Sequence, residues 1–272
     1  MNLEKYFISQ FTNKNIGDDG AYLDGYVYSK DAFFENVHFK KEWMSYYQIA
    51  QKAMLVNLSD AIAMNAKPKY ALLSVAMPKS ISKQEMQDLV AGFEDTAALY
   101  GVQIIGGDTL SNTKLDITIT IISSTKSPLR RTKIREGMLM AYTGHLGNSL
   151  KDLKKIFNGG RLHKKSKFVH LELRCDFVKK TSRILQAGMD ISDGLGDDLG
   201  KIAAINKIGF SFFQKIDKKV LCSGEEYEML VAFDKRDLKA VQRKSKLTRT
   251  QVTIFAKAQR KKYTNRCKAH HF

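Results

Sequence analysis

The segment Met189-Asp190-Ile191-Ser192-Asp193-Gly194-Leu195-Gly196-Asp197-Asp198-Leu199 places four carboxylates within nine residues, broken by two glycines and flanked by apolar side chains. Like charges at helical spacing repel, so such a stretch needs a neutraliser, and hard carboxylate oxygens suit a divalent cation. Three more acidic clusters lie upstream: Gly17-Asp18-Asp19, Asn57-Leu58-Ser59-Asp60 and Gly106-Gly107-Asp108-Thr109. Scattered single aspartates fit Mg2+ ions shared with a phosphate better than a closed protein cage. The neighbouring glycines Gly17, Gly107 and Gly194 let backbone approach a phosphate closely. Asp and Asn also favour turns and helix caps; what points to chemistry is one pattern occurring four times. The fold is expected to bring the four clusters to one point.

Other routes to phosphate chemistry are missing. Gly196 to Lys201 reads GxxxGK followed by Ile202, with the wrong spacing and no hydroxyl for a P-loop. The HRD and DFG signatures of protein kinases, the GxSxG elbow and HExxH are also absent.

The elements that must position these clusters follow from periodicity. A short amphipathic helix is predicted over Leu3–Phe11, a turn at Gly17–Ala21, and a strand over Tyr22–Lys30 that ends on Asp31. Apolar residues Ile49, Ala53, Leu55, Val56, Leu58 and Ile62 predict a mostly buried helix over Ser45–Met64. Tyr70–Met77 reads as a strand, and Ser82 with Glu85 forms a capping box opening a helix to about Tyr100. A short strand Val102–Ile105 is expected to run into the Gly106–Thr109 loop, and Asp116–Ser123 alternates as a strand with one buried face. The first half thus reads β–α–β–α–β–β. Beyond Pro128 the expectation is a strand Met138–Thr143, a glycine turn into a helix ending near Phe157, and a lysine-rich loop Gly159–Lys167. A helix Asp176–Ala187 and a helix Leu195–Ile205 follow, with strands at Phe210–Phe213, Met229–Phe233 and Val252–Ala256.

With 272 residues, 43% of them hydrophobic, the chain has enough material for two globular domains. The break is expected near Ser123–Pro128, giving domains 1–125 and 126–272. The net charge of +17 invites a nucleic-acid reading. The lysines are spread out, however, with denser patches at 151–167 and 235–262 and no recognition helix, zinc finger or stacking motif beside them. No nucleic-acid partner is therefore expected, and a basic binding protein stays as the distant alternative. Apolar runs such as Ile117–Ile122 are too short to span a bilayer, so no membrane association is expected. The start of the chain carries no basic segment followed by an apolar one, so no signal peptide is expected. Cys175, Cys222 and Cys267 are odd in number, widely spaced and without CxxC, which argues against disulfides or a zinc site and suits a reducing cytoplasm.

Taken in order and spacing, Gly17-Asp18-Asp19, the segment Asp31 to Phe39, Asn57-Leu58-Ser59-Asp60 with Ala63-Met64, Gly106-Gly107-Asp108-Thr109, Asp190-Ile191-Ser192-Asp193-Gly194-Leu195 and Gly224-Glu225-Glu226-Tyr227-Glu228 resemble the thiamine-monophosphate kinase family over nearly the whole chain. A GGDT-like loop alone also occurs in aminoimidazole ribonucleotide synthetase, selenophosphate synthetase and a hydrogenase maturation factor. Another ATP-using enzyme of that superfamily is therefore the runner-up.

The resemblance implies an α/β fold of the α+β type. Its N-terminal mixed sheet would bind ATP and metal and pair in a homodimer, and a C-terminal α/β sandwich would close the active site. It implies direct, in-line, Mg2+-assisted transfer of the γ-phosphate of ATP to thiamine monophosphate, giving thiamine diphosphate. Position by position, Asp19, Ser29, Asp31, Asp60, Asp108, Asp190 and Asp193 match ligands of several Mg2+ ions. Gly107, Asp108, Arg131 and Ser192 match nucleotide contacts, and His38 and Glu226 match positions facing the thiamine substrate. Among these, Asp31, Asp60, Asp108, Arg131 and Asp190 would carry catalysis. The chain departs from the family at Lys30, where a threonine is usual, and at Glu226, where an aspartate is usual. The aromatic usually found near the C-terminal end is not evident in Lys268–Phe272, and Tyr263 is the nearest substitute.

Overall fold

The computed structural model describes residues 3–163 and 166–267, so the tail Lys268–Phe272 lies outside the described residues. The chain builds two five-stranded sheets with one long helix between them. The first sheet has the order β1-β2-β5-β3-β4, from β1 (Ala21–Leu23), β2 (Tyr26–Phe34), β3 (Lys67–Pro78), β4 (Gln103–Asn112) and β5 (Asp116–Ser124). Only β3 and β4 run parallel, joined through helix α3 (Lys83–Tyr100). The second sheet has the order β7-β9-β6-β10-β8 and is antiparallel throughout. Its strands are β6 (Leu139–Thr143), β7 (Leu185–Asp190), β8 (Gly209–Phe212), β9 (Met229–Phe233) and β10 (Val252–Gln259).

Helix α2 (Tyr46–Ala63) is the centre of the molecule. Ser45 caps it, its side chain accepting the Gln48 amide while Gln48 reaches back to the Ser45 amide. Fourteen of its 18 residues are buried, most of them apolar but with Lys52, Asn57, Ser59 and Asp60 among them. It packs on β2 and β5 below and reaches β7 of the other sheet. One hydrophobic core consequently runs through both halves, from Phe33, Ile49 and Ile119 to Leu139, Phe177 and Val231. A second core, with Met140, Leu195, Ile202 and Phe255, fills the far side of the second sheet under α6 (Leu195–Asn206).

The helix predicted from Ser82 and Glu85 forms as α3, with its capping box and a left-handed Gly101 at its end. Other expectations are corrected. The single strand expected at Tyr22–Lys30 is a hairpin, because Asp24 and Gly25 both take positive φ and turn the chain between β1 and β2. The helix expected over Asp176–Ala187 stops early. Helix α5 spans Cys175–Thr181, and β7 follows. Five of the six β7 residues are buried, which removes the alternation that marks a half-exposed strand. The short strand expected before Gly106 continues through Gly106–Thr109 as β4, at the edge of the first sheet. Cys222 and Cys267 are joined in a disulfide across a sequence separation of 45, contrary to the expectation of free thiols. Residues 261–267 fold back over α6, with the Tyr263 hydroxyl donating to the Gly196 carbonyl at 3.0 Å, and this brings two cysteines together that no local spacing advertises. Among the described residues no helix is long and apolar enough to cross a membrane.

Candidate active site

The site lies where α2 meets both sheets. Asp19, from the loop before β1, Asp60, near the end of α2, and Asp190, at the end of β7, each offer an oxygen within 4.8 Å of the others. Asp190 is 2% exposed and accepts the Ser59 hydroxyl at 2.7 Å, so α2 itself orients the carboxylate of the other sheet. Asp19 is held by Arg131, whose Nε donates at 3.1 Å and whose Nη2 makes a shorter contact. The Arg131 amide donates to Asp18 at 2.8 Å, which ties the segment between the sheets to the Gly17–Gly20 turn. Asp31 stands beside the trio on β2, its amide donating to Asn57 Oδ1 of α2 at 2.8 Å.

Burial first, then mutual repulsion with Asp31, Asp190 and Asp19, drives the Asp60 carboxyl well above its usual range. Burial and Asp19 do the same to Asp190. Asp31 is pushed up to about 6 by burial and by Asp19, Glu225 and Asp193. At Arg131 burial works against the charge, but Asp19 outweighs it and keeps the guanidinium more basic than usual. One arginine does not neutralise the cluster, and Asp19 Oδ2 is buried with no hydrogen-bond partner. Convergent hard oxygens, one of them unclaimed, fit a divalent cation.

Beside the cluster opens a cavity of about 500 Å3. Its walls include three carboxylates, Asp31, Asp193 and Glu225, and the rings of His38, Trp43 and Phe168. Among the described residues no lysine or arginine lines it, although the chain carries a net +17. Such walls suit a flat, cationic ligand. His38 accepts the Phe34 amide through Nδ1 at 2.9 Å and lies stacked on Phe33. Ser192 lines the cavity, and its carbonyl accepts the Glu225 amide at 2.7 Å.

Several residues expected at the site are placed differently. Asp193 is on the cavity wall next to Asp31, with its carboxylate 2.6 Å from Lys201, which also holds Asp198 at 2.8 Å. Ser29 is buried beneath α2, its hydroxyl 3.5 Å from the Asn57 carbonyl. Glu226 does not reach the cavity. It is 1% exposed and accepts the amides of Gly147 (2.8 Å) and Ser149 (3.1 Å) at the start of α4 (Asn148–Phe157), so the wall carboxylate is its neighbour Glu225. Asp108 is exposed on β4, three strands from β2 and so roughly 14 Å across the sheet from the cluster. Gly107 beside it answers a packing demand, since a Cβ there would sit 1.6 Å from the Leu73 carbonyl oxygen. Lys30 points to the other face of β2 from Asp31, bonding Thr118 at 3.1 Å, and leaves the cluster untouched.

Three residues of the site escape a reading by motif, Lys52, Lys201 and Trp43, and a fourth, Glu225, lies in a matched motif whose role falls to its neighbour Glu226. The signal for Lys52 is a lysine in the middle of a mostly apolar helix; for Glu225 it is only adjacency to Glu226.

Residues 17–125, which carry the first sheet together with Asp19 and Asp60, match the class of protein described as AIR synthase related protein, N-terminal domain. Within that class the chain is 32% identical over 262 residues to the thiamine-monophosphate kinase of Buchnera aphidicola subsp. Schizaphis graminum, covering 83% of this chain and 78% of the relative. It is 30% identical over 238 residues to that of Leptospira interrogans, covering 79% and 78%. The chain belongs to the thiamine-monophosphate kinase family. Its fold superimposes on AaThiL complexed with AMPPCP and TMP with a TM-score of 0.85 at 22% identity, over 96% of this chain and 91% of that one.

Proposed function

We propose that this chain transfers the γ-phosphate of ATP to the phosphate of thiamine monophosphate, forming thiamine diphosphate and ADP. One observation carries the reading beyond family membership: a buried aspartate cluster abuts a cavity walled by carboxylates and rings, with Asp31 the neighbour of the first and part of the wall of the second. A phosphate acceptor bearing a cationic ring answers both halves of that description. In the transfer the bond between the γ-phosphorus and its bridging oxygen breaks, and a phosphate oxygen of thiamine monophosphate bonds to the phosphorus. That acceptor oxygen is mostly ionised at neutral pH because its second pKa is near about 6, so no protein base is required. The obstacle is repulsion between two polyanions.

Asp19, Asp60 and Asp190, with Asp31 at their side, would hold Mg2+. Bound there, such ions offset phosphate charge and fix the phosphates in line. Arg131 adds a permanent positive charge beside Asp19, and Ser59 keeps Asp190 turned inward. The aromatic walls and Glu225 orient the acceptor, so catalysis rests on positioning and charge. Residues 1–125 would then carry the nucleotide and dimer contacts and most of the metal ligands, with 126–272 adding Asp190 and closing the site.

Dimerisation through the first sheet is part of this reading. The face of that sheet away from α2 carries Tyr26, Tyr28, Tyr70 and Leu72, all exposed. Asp108 stands on the same face at the edge strand, so its surroundings are decided by the pairing.

The test is ADP release with Mg2+·ATP, comparing thiamine monophosphate, thiamine and no acceptor. Turnover with the monophosphate alone, yielding the diphosphate, is expected; turnover independent of acceptor overturns the reading. Asp60→Asn should cut turnover by roughly 100-fold or more, since even outer partners of metal ligands cost about 10–100-fold.

A further inference from the structure

Lys52 is the most unusual side chain of the molecule outside the aspartate cluster. It sits in the middle of α2, 0% exposed, in a helix whose other buried members at that end are apolar. A buried ammonium is retained only where something compensates its lost hydration. Here two groups do. Glu225 Oε2 lies 2.7 Å from Nζ, an ion pair off the line of a hydrogen bond. The ring of Phe168 faces the ammonium at 3.7 Å from its centroid, with Phe33 further away at 5.6 Å.

Both partners belong to the second half of the chain, and both line the acceptor cavity. Lys52 itself stays behind the wall, one helical turn from Val56, which lines it. Tyr227 holds one Glu225 oxygen from within the loop, its hydroxyl donating to Oε1 at 3.0 Å, and the other oxygen, Oε2, is the one that faces Lys52. Glu225 takes φ +58 and Tyr227 takes φ +50, so the loop between them adopts backbone that L residues rarely choose. Phe168 lies on the irregular stretch between α4 and α5, which Arg174 and Lys167 fasten to the buried Glu228. Lys52 is the point where α2 holds the two walls in register.

We propose that Lys52 is a positioning residue for the acceptor. By fixing the Glu225 carboxylate and the Phe168 ring, it sets affinity for the cationic ring of the acceptor and leaves phosphoryl transfer itself alone. The inference rests on the thiamine monophosphate reading. It also follows that the acceptor wall cannot form until α2 is seated between the sheets.

Lys52→Met, Lys52→Arg, Glu225→Gln and the double variant Lys52→Met/Glu225→Gln test it. Trp43 is the only tryptophan of the chain and lines the cavity, so its fluorescence reads ligand entry without turnover. Thiamine monophosphate and thiamine are titrated into each protein, and KM and kcat are measured alongside. Lys52→Met is expected to raise Kd and KM for thiamine monophosphate at least tenfold, with kcat and the KM for ATP within about twofold of wild type. Lys52→Arg should recover most of the affinity. The double variant should be no weaker than either single change, because each removes the same arrangement. It also leaves no unpaired buried charge, so it covers the case in which Lys52→Met fails to fold. A folded Lys52→Met with unchanged acceptor affinity, a loss confined to kcat, or additive losses in the double variant overturns the role of Lys52. If the wild-type protein itself neither binds nor phosphorylates thiamine monophosphate, the functional reading fails instead.

Discussion

At the scale of the residue, the site is a problem of charge held in place by hydrogen bonds. Ser59 spends its hydroxyl on Asp190 rather than on its own helix, so Ser59→Ala should weaken Mg2+ activation by about 10–100-fold while preserving the fold; an unchanged Mg2+ dependence would exclude this positioning. The raised carboxyls make a second expectation. Without cation, Asp31 takes up its proton at about 6 in the folded protein, against an ordinary value of 3.8. The folded state therefore binds more protons than the unfolded chain across that window. The stabilisation is complete at low pH and is lost as pH rises through about 6. Mg2+ should accordingly raise the melting midpoint more near about pH 7.5 than near about pH 5, a comparison that thermal unfolding reads directly; equal shifts would show that the cluster does not bind the ion. The aspartates were legible because their motif repeats. Glu225 was not, because two adjacent glutamates look alike until the positive φ of the first sends it to the cavity and the second to the α4 amides.

At the scale of the element, α2 and α3 follow directly from capping residues and apolar spacing, whereas β4 and β7 do not. Both strands break the usual period, β7 because both its faces are covered and β4 because it is an exposed edge with glycines in the middle. Gly107 is needed for β4 to lie against β3. Gly107→Ala should destabilise the first sheet by about 1–3 kcal/mol or more through forced displacement of the Leu73 carbonyl. Urea unfolding checks this, and a wild-type midpoint would mean that the strands part without loss. The same glycine thus carries a packing role whatever it contributes to nucleotide binding.

At the scale of the whole molecule, two sheets share one core through a helix that belongs in sequence to the first. Charge and composition indicate a globular two-part chain, but they do not foretell the shared core, since Phe177 and Val231 meet Ile49 only by long-range packing. The Cys222–Cys267 bridge adds a closure of the same kind in the second half. In the chain-entropy view a loop of that length stabilises by about 4 kcal/mol. Reduction with dithiothreitol should lower the melting midpoint, and Cys267→Ser should abolish the difference between reduced and oxidised protein.

Ser59 meets Asp190 across 131 residues, and Arg131 meets Asp19 across 112. No early-folding fragment contains the site. During refolding from denaturant, helix signal should return first, while Mg2+ binding waits for the late docking of the second sheet onto α2. A ribosome-bound chain that has emerged only to β5 would have a nearly complete first sheet and no catalytic centre, so activity is born in the last step of assembly.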